Sequence, residues 1–573
     1  MSELGSTTEL LGVLVRLRQA LVEHPLPFAS AEADEGREQR DKLIAQLDDY
    51  VVPRLVKIDA PLLAVVGGST GAGKSTLVNS VVGERVTVPG VLRPTTRSPV
   101  LVHNPADAHW FGPDRLLPDL TRTDHASNDQ GDLQLVASDR LPAGVAILDA
   151  PDVDSVEERN RLLAAQLLAA ADLWLFVTSA ARYADQVPWE FLKQAAERST
   201  AVAVVLDRTT PKAVREVASH LARMLTARGL GDSPLFTVPE DDVDADGLLP
   251  SDAVSAIRSW LERLAIDSAA RSTVVRKTLD GAIRSVGHRT RTVSDALKTQ
   301  EKIGAQLRQD AIRAYAESLR GVEEACADGT LLRGEVLARW QEFVGTGELM
   351  RNIEDKVGRI RDRLVSVARG KPQPAQQLTV AVETGLQTLL VEHAESAAER
   401  AALAWQSLPA GAQLLEESPD DLARASRDFR KQAEETVREW QSAVLDIVRV
   451  EGSDRRATAR FLAFGVNGLG VALMMVVFAQ TAGVTGAEVG IAGGSAVVGQ
   501  RILEAVFGDH AVRRLVRDAS ADLHRRVETH LWLPERQRYL DILETKEVER
   551  GAAETLLVLS REVDEAHWLG GTA

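Results

Sequence analysis

The chain has 573 residues, enough for roughly three domains, and is 45% hydrophobic and 26% charged, so it can bury a large core. Its net charge of −16 argues against nucleic acid as a partner held through a basic surface. A single cysteine, Cys326, excludes a disulfide framework or a cysteine-built metal site and fits a reducing compartment. The first residues, Met1-Ser2-Glu3-Leu4-Gly5, lack the basic and apolar regions of a signal peptide.

Residues 7–57 read as helical. Leu10, Leu11, Val13, Leu14, Leu17 and Leu21 recur at helical spacing, and a second helix runs from about Ser30 to Val56. From Ile58 to about Leu264 short apolar runs alternate with helical stretches. Strands are expected at 62–66, 100–103, 145–148, 173–178, 201–206 and 235–238, and helices at 156–170, 189–199 and 212–228. Such alternation specifies a mostly parallel sheet with helices on both faces.

The stretch Gly67-Gly68-Ser69-Thr70-Gly71-Ala72-Gly73-Lys74-Ser75-Thr76 follows the first strand and precedes a helix. In that setting G-x-x-x-x-G-K-[ST] is a phosphate-binding loop. Its glycines let main-chain N–H groups from Gly68 to Thr76 wrap a phosphate, and the helix N-terminus adds partial positive charge. Lys74 is expected to reach the β- and γ-phosphates and Ser75 to ligate Mg²⁺. Arg93-Pro94-Thr95-Thr96-Arg97-Ser98-Pro99 lies where a switch threonine would meet the metal and the γ-phosphate. Asp149 ends the third strand and can hold Mg²⁺ through water. Arg93, Arg97 and Arg182 are possible charges for a transition state, or surface arginines. Asp242-x-Asp244-x-Asp246-Gly247 copies half of a calcium loop, but the twelfth place is Ala253, and it reads as a solvated acidic loop.

From about 270 to 455 the pattern is helical throughout, with a break at Lys371-Pro372-Gln373-Pro374. Phe461 to Ala479 then carries no charge, and at 1.5 Å per residue it is about 28 Å long, close to a bilayer core. A second apolar run, Val489 to Phe507, is broken by Gln500, Arg501 and Glu504. Arg455, Arg456 and Arg460 before the first arm, and Arg513, Arg514 and Arg517 after the second, orient such a hairpin from the cytoplasmic side. The expectation is an integral protein of the cell membrane anchored by this hairpin. A pair of buried helices, or a shallow paddle, are the alternatives.

The motifs together resemble those of the dynamin-like large GTPases, particularly the bacterial ones. Val65-Val66-Gly67-Gly68…Gly73-Lys74-Ser75, Thr96-Arg97-Ser98-Pro99 and Leu148-Asp149-Ala150-Pro151 resemble the family's first three motifs, over about 60–210. The resemblance favours Thr96 over Thr95. It implies GTP hydrolysis with Mg²⁺, with Lys74, Thr96 and Asp149 catalytic and Ser75, Thr96 and Asp149 at the metal. It further implies a stalk, a membrane-contacting paddle, self-association through the G domains and a paired homologue. Three places depart from the pattern. The third motif's last glycine is Asp152. The fourth motif, [NT]-K-x-D, is Asp207-Arg208-Thr209-Thr210, leaving Asp207 and Arg208 to serve the base. Gly71 stands where a serine or asparagine would support a monovalent cation.

The reading is therefore an α/β P-loop GTPase domain joined to an extended α-helical bundle or stalk with an apolar helical hairpin. Its parts are 1–57, N-terminal helices packing with the bundle; 58–267, the GTPase domain; 268–458, the bundle; 459–509, the hairpin; and 510–573, C-terminal helices returning to the bundle. The function expected is nucleotide-driven stalk movement or assembly at a membrane. A membrane-anchored regulatory switch is the alternative, and a transporter-type ATPase ranks last for want of a glutamate after Asp149.

Overall fold

The uncharged run starting at Leu62 becomes β1 (Leu62–Gly68), buried along its whole length. Its side chains alternate between two cores: Leu62, Ala64 and Val66 belong to one, Leu63 and Val65 to the other. A strand covered on both faces must be apolar at every position, which is why this run shows no alternation in sequence. Described in the computed structural model are residues 3–87, 98–113, 117, 120–127, 129–154, 158–197, 200–210, 212–332, 334–344, 373–453, 459–479, 492–546 and 548–571.

Seven further strands follow: β2 (Val100–His103), β3 (Thr121–Thr123), β4 (Asp132–Ala137), β5 (Val145–Asp149), β6 (Leu173–Ser179), β7 (Ala201–Thr209) and β8 (Leu235–Pro239). They form one sheet in the order β3-β4-β2-β5-β1-β6-β7-β8. All neighbours are parallel except β2 against β5. The sheet is thus mostly parallel, as expected, and all six expected strands are present. β3 and β4 add to them at one edge. They escape the sequence reading because polar residues interleave in them: β3 is Thr-Arg-Thr, and in β4 Leu133 alone is buried.

The chain divides into two compact units, Met1–Leu26 with Ala31–Thr299 and Val548–Ala573, and Pro27–Ser30 with Gln300–Glu547. In the first, the helix Glu3–Glu23 buries Leu10, Val13, Leu14, Leu17 and Leu21 with Ile283, Val286, Leu556 and Val563. These partners come from the helix Ser268–Ala327 and the helix Ala552–Gly571.

The second unit is helical. Its core gathers Trp340, Trp405, Trp440 and Tyr539; the Trp405 indole donates to Leu307 O at 2.9 Å, Trp440 to Ala519 O at 2.9 Å, and the Tyr539 hydroxyl to Leu422 O at 2.6 Å. Cys326 is buried here, and burial pushes its thiol up to about 12, so it is inert near neutrality.

The expected membrane hairpin is corrected. Among the described residues no helix is long and apolar enough to cross a membrane. The helix Ala459–Val477 is interrupted at Gly465, which adopts φ 65° and ψ 170°. The part beyond it is about a dozen residues, roughly 18 Å against a bilayer core near 30 Å. Its apolar side chains are already committed: Leu469, Val471, Leu473, Met474, Met475 and Phe478 lie in the core of the helical unit, and Phe478 packs on Trp440 with ring centroids 5.5 Å apart. The second arm, Ala492–Phe507, is amphipathic. Val498, Leu503, Val506 and Phe507 face the core, while Gln500 and Arg501 are exposed and Gln500 donates to Glu504 at 2.7 Å. Gly499 sits where the two helices meet: a Cβ there would come 3.3 Å from Val476 Cγ2, so a larger side chain would push them apart. Integral anchoring from the cytoplasmic side therefore does not hold; the buried pair does. The tip 480–491 and the arginines at 455 and 456 lie outside the described residues.

A leucine that faces lipid tolerates truncation, whereas one in a packed core does not. Leu473→Ala is expected to cost about 2–5 kcal/mol of the helical unit's stability. Urea unfolding of the full chain without detergent checks this.

Candidate functional site

The C-terminal ends of β1, β5, β6 and β7 converge on the loop 67–73. Register sets this: Val66 pairs with Asp149 and Gly68 with Val177. β7 places Asp207 opposite Ser179. The crevice beyond such strand ends is where open α/β sheets bind ligands. The loop turns into the helix Lys74–Val82 at Gly73, whose φ is 95°. A Cβ there would collide with the Asp207 carboxylate, so position 73 requires glycine for both conformation and space.

Lys74 is buried. Its ammonium donates to Gly68 O at 3.0 Å and Ser69 O at 3.2 Å, and pairs with Asp152. Ser75 donates its hydroxyl to Asp149 Oδ2 at 2.7 Å. Asp149 is fully buried, and burial raises its carboxyl above the usual range against the pull of Ser75, Lys74 and Thr87. Its other oxygen, Oδ1, is buried with no hydrogen-bond partner among the described residues. An acid held beside a serine hydroxyl with one oxygen unanswered fits a divalent cation held by Ser75 and Asp149. Ser69 Oγ is likewise buried without a hydrogen bond among the described residues.

Three residues complete the site that sequence reasoning missed. Thr87 donates to Asp149 Oδ2 at 3.0 Å. It is held there by Asn79, whose Oδ1 accepts from Val86 N and Thr87 N, both at 2.9 Å, and whose Nδ2 donates to Thr87 O at 2.9 Å. The signal for Asn79 was an amide on the buried face of the first helix after the loop. Asp154 accepts from Thr70 N at 2.6 Å and Thr70 Oγ1 at 2.7 Å, and its Oδ2 accepts from Arg182 at 2.9 Å. Nothing in a local motif announced it. Thr96, with Arg93 and Arg97, lies outside the described residues. Within 242–247, Asp244 Oδ1 is taken by Asp246 N and Leu248 N, a turn satisfied by its own main chain.

Asp207 is 4% exposed and sits against Gly73. Its Oδ1 accepts from Arg208 N at 2.8 Å, and Arg208 adopts φ 53° at an irregularity between β7 and β8. Burial raises the Asp207 carboxyl to about 6, and the charge of Glu240 adds to the rise. Folding therefore favours the protonated form. The cost of ionising it is absent below the unfolded value of 3.8 and complete above about 6. Relative to Asp207→Asn, the wild-type chain should lose about 2 kcal/mol between pH 4 and pH 7. Urea unfolding midpoints of the two chains across that range measure the difference; parallel pH profiles would contradict it.

The sequence model of the Dynamin family matches residues 63–208, the segment that carries β1 to β7 and the loop. No curated protein matches the chain. Among solved structures, two chains from work on an oligomerised bacterial dynamin pair, described as a mechanism for long-range sensing and tethering of membranes, align with it. One is 11% identical, covering 95% of this chain and 96% of that one, and the other 10% identical, covering 98% and 94%, both at a TM-score of 0.40. LeoA, a bacterial dynamin GTPase from ETEC, is 13% identical over 98% of this chain and 97% of its own, at 0.23. Residues 63–208 thus carry a Dynamin-family segment, of a family whose members are GTPases.

Proposed function

We propose that this chain binds GTP with Mg²⁺, hydrolyses it, and uses the cycle to drive movement or self-assembly of its helical part at a membrane surface. One observation supports the chemistry above others: Lys74, Ser75 and Asp149 meet at the ends of adjacent parallel strands, with one Asp149 oxygen buried and unanswered. In this reading Lys74 and the main-chain N–H groups from Gly68 to Thr76 hold the phosphates, aided by the helix N-terminus. Ser75, Asp149 and Thr96 would hold the magnesium ion, which would supply charge neutralisation between the phosphates. Asp149 keeps Ser75 oriented by accepting its hydrogen bond, and Thr87 keeps Asp149 oriented in turn. The Asp152 main chain would meet the γ-phosphate. Asp207 and Arg208 border the loop where the base would lie.

Membrane contact is kept as a peripheral one. It rests on the family, and assembly through G domains or with a paired homologue rests there too. Nucleotide-dependent sedimentation with liposomes separates this from a passive switch: a GTPase that assembles should pellet more with GTP than without it.

Lys74→Ala should abolish high-affinity binding of a labelled triphosphate, because Lys74 is the cation built into the loop. Unchanged binding would sink the site. For the base, unlabelled GTP should displace labelled GTP at least tenfold more effectively than ATP does, and Asp207→Ala should narrow that gap. Equal competition by ATP would remove guanine from the proposal.

A further inference from the structure

The donors that a triphosphate needs are held by two carboxylates of the protein itself. An ammonium has three protons to donate. Those of Lys74 go to Gly68 O, Ser69 O and the Asp152 carboxylate. The first two are neutral carbonyls of the loop; the third carries the charge a phosphate oxygen would bring. The side chains of Lys74 and Asp152 are only 5% and 16% exposed, so the pair is poorly screened by water. Two residues on, Asp154 Oδ1 takes both the main-chain N–H and the hydroxyl of Thr70, at the mouth of the same loop. Its second oxygen ties Arg182, which follows β6. Both acids belong to one short segment, 150–154, directly beyond Asp149. A phosphate and a carboxylate cannot share these donors without placing like charges in contact.

We propose that Asp152 and Asp154 compete with the triphosphate for the loop, so that nucleotide entry must turn both carboxylates out of it and untie Arg182 from Asp154. This rests on the reading of the loop as a triphosphate site and adds an affinity-setting function to two residues. The glycine found at position 152 in the motif this segment resembles would offer no charge to Lys74. Here the loop is self-capped. Binding and movement of the two carboxylates after β5 then become one event, because the group that leaves Lys74 is one of them.

The test uses the full chain with Mg²⁺ and a fluorescent GTP. Asp152→Asn keeps the shape and removes the charge, and is expected to lower the dissociation constant tenfold or more. Asp154→Asn, which removes the charge that holds Thr70 and Arg182, is expected to lower it severalfold. If Asp152→Asn fails to fold, Asp154→Asn carries the test alone. Equal or weaker binding by the folded variant, with normal binding by the wild-type chain, overturns the proposal. A wild-type chain that binds no triphosphate, and behaves like Lys74→Ala, overturns the site reading instead.

Discussion

A carboxylate removed entirely from water at the end of a parallel strand is the constraint around which the nucleotide half is built. Ionised, Asp149 is costly to bury unless hydrogen bonds and a cation answer it. The chain supplies the answers from three directions: Ser75 from the helix after the loop, Thr87 from the segment beyond that helix, and the charge of Lys74. Each has its own support. Ser75 stands where Gly73 starts the helix, and Thr87 stands where the buried Asn79 holds it. The unanswered oxygen is the remainder of this balance, and it is the atom the proposed magnesium ion would answer.

Much of this was legible because the chemistry is local. The glycines, Lys74 and Ser75 fall within one turn of chain, and Asp149 ends an unbroken apolar run. The strands could be read where an apolar run carries them, as in the half-covered 235–239, and were lost where polar residues interleave, as at 121–123 and 132–137. Thr87 and Asp154 could not be read, and Asn79 offered only an amide on a buried helix face. Their roles depend on contacts between segments eight to eighty-four positions apart, which no spacing rule encodes. Asp152 shows the same limit from the other side. Its departure from the motif was plain, but its pairing with Lys74 depends on how the segment after β5 folds back.

The segment 461–507 shows why a charge-free run is ambiguous. Hydropathy registers only that a helix avoids water, and a bilayer and a tryptophan-lined bundle satisfy it equally. Geometry decides between them. A break at Gly465 shortens the first helix, and the polar edge of Gln500, Arg501 and Glu504 gives the second a wet face. A spanning helix needs length and apolar character all round; a bundle helix needs a stripe.

At the opposite end of the strands from the loop, a second buried acid does for the helices what Asp149 does for the nucleotide site. Asp172 opens β6. Its carboxylate accepts from Leu63 N at 2.9 Å and from the Tyr50 hydroxyl at 3.1 Å, and pairs with Arg54 at 3.0 Å. Its main-chain oxygen accepts from Thr278 at 3.0 Å, and Thr278 in turn receives Ala201 N at 3.1 Å. One residue thus joins β1, β6, β7, the helices before the sheet and the long helix after it. A buried charge so tied tolerates little displacement, because losing one partner leaves another charge stranded without water. Strand β1 is therefore pinned at both ends, by Asp172 near Leu63 and by Asp149 alongside Val66. Within this unit, rearrangement at the phosphate loop is confined to segments that hang from the strand ends, of which 150–154 is one, while the strands and the helices fastened to Asp172 act as the fixed frame.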